Sequence, residues 1–273
     1  MSIIKGFKFN KSLGQNFILD EGFLESIVAG LGLTREHVVV EIGTGAGTLT
    51  RVLARRVKQV VTYEIDKRLQ TVLHEQFKGI DNIDLRLEDG LKANLPRHFV
   101  PPLRSKGEYI VVANIPYYIT TPLIMKFMAD VDCTRICVLV QDDVARRIVA
   151  KPGGKDYGAL SVGLQARADC KIIKKVPRSV FTPVPNVDSA FVDLKKLPFE
   201  TKGWHPQGDG VFDRFLKSIF SARRKTILNA LKIEKETARR ILAEAGIDEN
   251  LRPEQIPVDK FVELSTKLDE ILH

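Results

Sequence analysis

The feature that most constrains the fold is an apolar run that passes directly into a glycine-rich loop. Val38–Ile42 is rich in β-branched residues, as buried strands are, and Gly43-Thr44-Gly45-Ala46-Gly47 follows at once. Beyond the loop, apolar residues from Leu49 to Val57 recur at helical spacing. Strand, glycine loop and helix form the first unit of a doubly wound α/β sheet, in which glycines let the backbone turn tightly beside a ligand. The sequence therefore predicts an α/β domain with a ligand at this loop.

Acidic residues at the ends of the next two predicted strands indicate which ligand. Gln59–Tyr63 is followed by Glu64, whose carboxylate is placed to accept hydrogen bonds from both hydroxyls of a ribose. A strand over residues 83–87 leads to Asp89, which is placed to accept from the amino group of an adenine. A dinucleotide loop needs glycine at position 48, which is Thr48, so the residues favour S-adenosylmethionine. Because a glycine loop is a weak signal by itself, a nicotinamide dehydrogenase stays open at this point.

A second stretch carries candidate chemistry. A buried strand ending at Ala113 is followed by Asn114-Ile115-Pro116-Tyr117. Pro116 fixes its own φ and keeps Ile115 extended, which can aim the Asn114 side-chain oxygen and the Ile115 carbonyl at one point. Two acceptors beside the Tyr117 ring suit a planar base that carries an amino group. Since four-residue motifs recur by chance, an ordinary strand end with a proline turn is the alternative.

Composition narrows the setting. At 273 residues the chain has room for one large domain and a small second one. The net charge of +8, from 42 Lys+Arg against 34 Asp+Glu, favours a polyanionic partner. Cys133, Cys137 and Cys170 lack metal-ligand spacing, and no apolar run is long enough to span a membrane. We therefore expect a cytoplasmic protein with no metal site and no membrane association, whose cysteines serve packing.

Two domains are predicted. Residues 1–198 form the catalytic α/β domain, with 1–20 as a segment that covers the cofactor, and 199–273 form a helical domain that contacts RNA. The composition changes after Pro198, where a linker with Gly203 and Pro206 precedes apolar residues at helical spacing. Basic residues in two stretches suit RNA phosphates, although a solvated face has the same composition. They are Arg146, Arg147, Lys151, Lys155, Arg223, Arg224 and Lys225.

The connection between the last two predicted strands adds one aromatic candidate. It runs from Phe181 to Ser189 and contains Pro183 and Pro185. Two prolines stiffen a loop and could hold the Phe181 ring over the pocket. The alternative is that Phe181 anchors the core.

In this order and spacing, the motifs resemble the small-subunit ribosomal RNA adenine N6,N6-dimethyltransferases. The resemblance runs from about Lys11 to the C-terminus, and its departures at Ile18, Asp143 and Ala159 remove no residue that carries the chemistry. The matching stretches are Leu13-Gly14-Gln15-Asn16-Phe17, Glu41 to Gly47, Glu64-Ile65-Asp66, Glu88-Asp89, Asn114 to Tyr117, Tyr157-Gly158, Leu160-Ser161, Phe181 to Ala190 and Phe220 to Thr226.

The resemblance implies a class I, Rossmann-like methyltransferase sheet of seven strands with its last strand antiparallel, followed by a helical domain. It implies S-adenosylmethionine as cofactor and, as substrate, two adjacent adenosines near the 3′ end of small-subunit (16S) rRNA in an immature small ribosomal subunit. The protein is predicted to be a monomer. The predicted catalytic residues are Asn114, Ile115, Pro116, Tyr117 and Phe181. The predicted cofactor contacts are Gln15, Asn16, Ile18, Gly43, Gly45, Glu64, Ile65, Asp89 and Asn114.

Three other functions stay open beside the dehydrogenase. A large-subunit rRNA adenine methyltransferase of the resistance type shares the catalytic motifs, and the match through residues 220–225 argues against it. A DNA adenine methyltransferase is disfavoured because no second region resembles a base-reading domain. A protein that acts mainly as an RNA-binding assembly factor, with methylation secondary, is the alternative from another class.

Overall fold

The computed structural model describes residues 14–93, 108–198, 209–222 and 224–272. These residues pack into two compact units. The first contains residues up to 145 together with 171–195, and the second contains 146–170 together with 196 onward. The predicted division at residue 198 therefore differs from the packing, because 146–170 pack with the C-terminal helices. The functional division into a catalytic and an RNA-binding domain stays a prediction.

A seven-stranded sheet forms the centre of the first unit and confirms the predicted fold class. Its strands are β2 (Val38–Ile42), β3 (Gln59–Tyr63), β4 (Ile83–Arg86), β5 (Tyr109–Ala113), β6 (Cys133–Gln141), β7 (Ala168–Val176) and β9 (Ser189–Lys196). Two short strands, β1 (Phe17–Ile18) and β8 (Phe181–Thr182), form a separate pair. In the sheet, the strand order is β4-β3-β2-β5-β6-β9-β7. The neighbours from β4 to β6 are parallel, and β9, the last strand in the chain, runs antiparallel to β6.

The parallel register brings the functional motifs to one edge. Ile42 pairs with both Tyr63 and Ala113, and Tyr63 pairs with Arg86. The four strands therefore end side by side, and the loops that carry the glycines and the predicted acidic and amide residues start from the same edge. Strand β2 has β3 on one side and β5 on the other, so the order of strands reverses there. Ligands of open α/β sheets bind at this kind of switch point.

Helices cover the sheet and enclose an apolar core. The helices of this unit are α1 (Glu21–Gly30), α2 (Thr48–Ala54), α3 (Gln70–Gln76) and α4 (Thr120–Ala129), and helix α5 (Asp142–Ile148) begins in it. Helix α1 begins directly after Asp20, whose Oδ1 accepts the Phe23 N–H at 2.9 Å and so caps the helix. The apolar faces of α1 and α2 pack on β2 and β5 with residues such as Ile27, Val52 and Val112, all fully buried. Cys133 and Cys137 are buried in β6, as packing residues are.

The second unit has its own core. Its helices are α6 (Ala159–Gln165), α7 (Asp209–Ser221), α8 (Ile227–Ala230), α9 (Lys235–Glu244) and α10 (Val258–Leu272). Tyr157 explains why 146–170 belong to it, since the ring packs edge-on against Phe220 and the hydroxyl donates to the Ile256 carbonyl at 2.9 Å. Val162 of α6 and Phe261 of α10 lie in the same apolar cluster. Among the helices of the described residues, none combines the length and hydropathy that a membrane crossing requires.

Candidate active site

A cavity opens at the carboxyl-terminal edge of the sheet, within the first unit. The empty space between its lining atoms, with open solvent at the mouth included, amounts to about 1210 Å³. The sequence-predicted residues that line it are Gln15, Asn16, Ile18, Gly43, Gly45, Glu64, Ile65, Asp89, Asn114, Ile115, Pro116 and Tyr117. The fold thus brings together all the predicted cofactor contacts and all the predicted catalytic residues except Phe181.

The glycine loop needs glycine for reasons of backbone conformation and space. Gly43 has φ +83°, and a Cβ there would lie 3.4 Å from the Asn114 carbonyl oxygen. Gly45 has φ +57°, and a Cβ there would lie 3.0 Å from the Phe17 ring. Residues with a side chain rarely adopt these left-handed conformations. The loop can therefore pass between the strand ends and the N-terminal segment while it lines the cavity with bare backbone.

Glu64 is held rigidly at the end of β3. Its Oε2 accepts the Gly45 N–H and its Oε1 accepts the Asp66 N–H, each at 2.8 Å. Burial raises the pKa of this carboxyl, and the two backbone N–H groups oppose the rise. Each carboxylate oxygen has a second lone pair, so Glu64 can still accept from a ribose diol.

Glu41 is a second acidic residue at the cavity, and it was not among the predicted site residues. It is fully buried, and its Oε2 accepts the hydroxyls of Thr50 at 2.6 Å and Thr62 at 2.7 Å. Its Oε1 lies buried without a hydrogen-bond partner among the described residues. Burial raises the pKa of Glu41 to about 8. Its place in β2, two residues before the glycine loop, was visible in the sequence, but its hydrogen bonds with two threonines were not.

Glu41 should make the stability of the cofactor-free protein fall with rising pH. The folded protein keeps a proton up to pH about 8, whereas the unfolded chain releases it near the ordinary value of 4.5. Between these values the folded state binds more protons, so the free energy of unfolding falls by up to about 1.4 kcal/mol per pH unit. Glu41→Gln imitates the protonated form and should remove this slope. Urea unfolding of both proteins from pH 5 to 8 measures the difference.

The difference in stability between Glu41→Gln and the parent should therefore grow with pH in favour of the variant. Glu36→Gln, a change at an exposed glutamate, is the matched control and should run parallel to the parent. Parallel curves for Glu41→Gln as well would contradict the buried, protonated carboxyl.

The N-terminal segment forms one wall of the cavity and is tied down at several points. Strand β1 (Phe17–Ile18) pairs antiparallel with β8 (Phe181–Thr182). Gln15 Nε2 donates to Asp66 Oδ2 at 2.8 Å, and Arg68 also donates to Asp66. The hydrogen bonds from Arg68 lower the pKa of Asp66, which keeps the carboxylate charged as an acceptor. The wall is thus joined to the strand end that carries Glu64.

The Asn114 amide is oriented by the same segment. Its Nδ2 donates to the Asn16 carbonyl at 3.3 Å, and this leaves Oδ1 as the acceptor end of the side chain. Tyr117 is oriented by Ser189, since its hydroxyl lies 2.8 Å from Ser189 Oγ at the start of β9. Burial raises the pKa of the Tyr117 phenol, so the ring is neutral at physiological pH. Sequence reasoning missed Ser189 as a partner, although it lies in a matching stretch.

Asp89 and Ile65 also line the cavity. Asp89 lies in the turn after β4, where its Oδ1 accepts the Leu91 N–H at 3.0 Å. Ile65 follows Glu64 and is 54% exposed while lining the cavity. An apolar surface for a planar ring and a carboxylate for its amino group are what an adenine requires. Together with Glu64, these carboxylate acceptors and the apolar surface therefore fit adenosine.

Phe181 lies elsewhere than predicted. Its side chain is 2% exposed and packs in the apolar cluster with Ile18, Leu24 and Val176. It does not line the cavity. Burial in this apolar cluster removes more of the ring's surface from water than a position over an open pocket would, and it is therefore more favourable. The expectation of a ring held over the pocket is corrected to a core position.

The predicted RNA-binding residues that are described are all on the surface of the second unit. Arg146, Arg147, Lys151, Lys155, Arg224 and Lys225 are exposed, and Arg223 lies outside the described residues. Arg146 also faces Asp156, at 3.7 Å. The fold thus places basic residues from two distant stretches on one unit. Their contact with RNA stays a prediction.

The chain is similar to known ribosomal RNA adenine methyltransferases. The family model described as "Ribosomal RNA adenine dimethylase" matches residues 6–270. A "Ribosomal RNA small subunit methyltransferase A" from Clostridioides difficile is 40% identical over 264 residues, which cover 95% of this chain and 90% of the relative. A protein of the same name from a Geobacillus species is 41% identical over 278 residues, which cover 98% of this chain and 94% of that one.

Two solved structures have the same fold over nearly the whole chain. The 23S rRNA methyltransferase ErmE aligns with a TM-score of 0.71 at 26% identity, covering 93% of this chain and 99% of that one. A dimethyladenosine transferase from Plasmodium falciparum aligns with a TM-score of 0.75 at 23% identity, covering 93% and 98%. The predicted family, its enzymatic activity and its cofactor, S-adenosylmethionine, are confirmed: the chain belongs to the ribosomal RNA adenine dimethylase family.

Proposed function

We propose that this enzyme transfers methyl groups from S-adenosylmethionine to N6 of two adjacent adenosines near the 3′ end of small-subunit rRNA. The observation that carries the proposal is the position of Asn114 to Tyr117, which line the same cavity as the residues predicted to contact the cofactor. The curated relatives at 40% and 41% identity are named small-subunit enzymes, which favours that substrate.

The cavity residues fit the cofactor by their chemistry. Glu64 would hold the ribose, Asp89 and Ile65 the adenine, and the backbone of the glycine loop together with Gln15 and Asn16 the methionine end. When bound, S-adenosylmethionine supplies a methyl group bonded to a sulfonium sulfur. The sulfur departs as a neutral thioether, so the leaving group needs no further activation.

Asn114 and Ile115 would prepare the target amine. The N6 lone pair of adenine is delocalised into the ring, so the free amine is a poor nucleophile. Acceptance of its two N–H groups by Asn114 Oδ1 and the Ile115 carbonyl would hold the nitrogen pyramidal, with its lone pair pointing into the cavity. The Tyr117 ring, fixed through Ser189, would stack on the extruded base.

The clamp has a consequence for the course of dimethylation. Each transfer moves the methyl group from sulfur to N6, leaves S-adenosylhomocysteine as the thioether, and is completed when the methylated amine loses a proton. After one transfer only one N–H remains, so the two acceptors cannot both be satisfied again. The dimethylated base has no N–H left, which favours release of the product. We therefore expect monomethyladenosine to be detectable at early times when turnover is followed by nucleoside analysis.

The exposed basic residues of the second unit support binding to an RNA-containing partner, and the net charge of +8 agrees with this. We propose that the partner is an immature small ribosomal subunit, which the enzyme meets in the cytoplasm as a monomer. The second unit would serve as its RNA-binding domain.

One other substrate is favoured by a specific observation. The likeness to ErmE, at 26% identity and with a TM-score of 0.71, is to an enzyme whose name specifies 23S rRNA. The geometry of the Asn114 clamp would serve either RNA, because it acts on the base alone.

Transfer of labelled methyl groups from S-adenosylmethionine tests the proposal. The acceptors are unmethylated small subunits, large subunits, free rRNA and duplex DNA, with nucleoside analysis of each product. We expect dimethyladenosine on small subunits alone. Label on free 23S rRNA would point to the large-subunit activity, and tight binding to subunits without transfer would point to an assembly factor.

A further inference from the structure

The turn over residues 89–93, which carries Asp89, is built on that residue. The Asp89 carbonyl accepts the N–H groups of Lys92 at 2.9 Å and Ala93 at 3.0 Å, and its Oδ1 accepts the Leu91 N–H. The carboxylate and the turn therefore move together. If the turn shifts, Asp89 shifts in the cavity.

Lys126 of helix α4 holds the other end of this turn. Its Nζ donates to the carbonyls of Gly90 at 3.1 Å, Leu91 at 2.5 Å and Ala93 at 3.0 Å. An ammonium group has three N–H donors, and here each can donate to one of the three carbonyl oxygens. Hydrogen bonds from a charged donor are stronger than those between neutral groups, and the half-buried position of Lys126 shields them from water.

Gly90 shows that the turn has no room to relax toward the sheet. A Cβ on Gly90 would lie 2.7 Å from Ile42 Cδ1 and 3.0 Å from Tyr63 Cβ, at the ends of β2 and β3. The turn is therefore fixed by close packing against the strand ends and by the cation of Lys126. Both Gly90 and Leu91 also line the cavity.

We propose that Lys126 is a positioning residue for the adenine end of the cofactor. By binding three carbonyls of the 89–93 turn, it presents the Asp89 carboxylate to the exocyclic amino group of the adenine. Helix α4 begins three residues after Tyr117, so the same helix joins the base-binding stretch to the adenine-binding turn. This inference rests on the proposed adenine contact of Asp89.

Calorimetric titration of the full-length protein with two ligands tests the proposal. The ligands are S-adenosylhomocysteine and S-inosylhomocysteine, which has a hypoxanthine without the amino group. Lys126→Met should raise the dissociation constant for S-adenosylhomocysteine about tenfold, the usual scale for losing hydrogen bonds to a charged group. Binding of S-inosylhomocysteine should change less than about twofold, so the preference for adenine shrinks. In methyl transfer, the loss should fall on KM for S-adenosylmethionine rather than on kcat.

Lys78→Met, at an exposed lysine after α3, is the control and should bind both ligands as the parent does. Lys126→Gln retains two N–H donors and should show a smaller loss of adenine preference, so it carries the test if the Met variant fails to fold. A folded Met or Gln variant with the parental dissociation constants and base preference would overturn the proposal.

Asp89→Ala separates this inference from the assumption beneath it. If Asp89→Ala abolishes the adenine preference and Lys126→Met does not, only the role of Lys126 is overturned. If Asp89→Ala leaves the preference intact, the adenine contact itself is wrong and the inference fails with it. Neither result bears on the proposed function, because that function is tested separately by methyl transfer to small-subunit RNA by the parent protein.

Discussion

Asn114→Ala should lower turnover by about 10²–10³-fold while S-adenosylhomocysteine still binds, the scale seen when one preorganised polar contact to a transition state is removed. The Asn114 side chain is a single acceptor held in place by its own bond to the Asn16 carbonyl. Without it the target amine keeps its lone pair in the ring. Single-turnover transfer to unmethylated small subunits, together with calorimetric binding of S-adenosylhomocysteine, separates the chemical step from cofactor binding.

Asn229→Ala is a suitable control for this experiment. Asn229 is an exposed asparagine in the second unit, and its side chain donates to Thr226. We expect near-parental turnover from it. Near-parental turnover from Asn114→Ala would remove Asn114 from the chemistry and leave the Ile115 carbonyl and Tyr117 as the base-binding groups.

Phe181→Ala should lower the free energy of unfolding by about 3–5 kcal/mol, the usual cost of truncating a buried phenylalanine. Its ring is 2% exposed among apolar neighbours, so the truncation leaves a cavity beneath the β1–β8 pair. Phe181→Leu should cost less, because it restores most of the volume. Urea unfolding of the three proteins measures the series.

Tyr118→Ala provides the comparison, because Tyr118 is also aromatic but is 64% exposed. It should change stability by less than about 0.5 kcal/mol. If Phe181→Ala kept parental stability and lost only turnover, the ring would act on the base, as first predicted, and the core assignment would be wrong.

The grouping of site residues such as Glu64 and Asn114 at one end of the sheet was predictable, because each of these two residues directly follows a strand. Glu64 and Asn114 both come directly after runs of buried, β-branched residues. Once those runs are recognised as parallel strands, their ends must meet, and the residues after them must share a cavity. At these positions, the local sequence is therefore sufficient to predict which residues the fold brings together.

Other features depend on contacts that no local pattern contains. Burial raises the pKa of Glu41, and hydrogen bonds from the hydroxyls of Thr50 and Thr62 oppose the rise. Thr62 is 21 residues away from Glu41 in the chain. Tyr157 joins the second unit through a bond to Ile256, 99 residues away. The loop over residues 151–156, which precedes Tyr157, contains glycines and lysines and has the composition of any solvated surface. The sequence therefore did not reveal which unit this loop belongs to.

The pairing of β1 with β8 sets a limit on how far the chain can be truncated from its N-terminus. Phe17 and Ile18 are partners of Thr182 and Phe181, and the Asn16 carbonyl just before them orients Asn114. A deletion that extends through residue 18 would remove one strand of the β1–β8 pair, one wall of the cavity and the partner of the Asn114 amide in a single step. Truncated forms intended for crystallisation or as minimal catalysts should therefore retain Gln15 to Ile18.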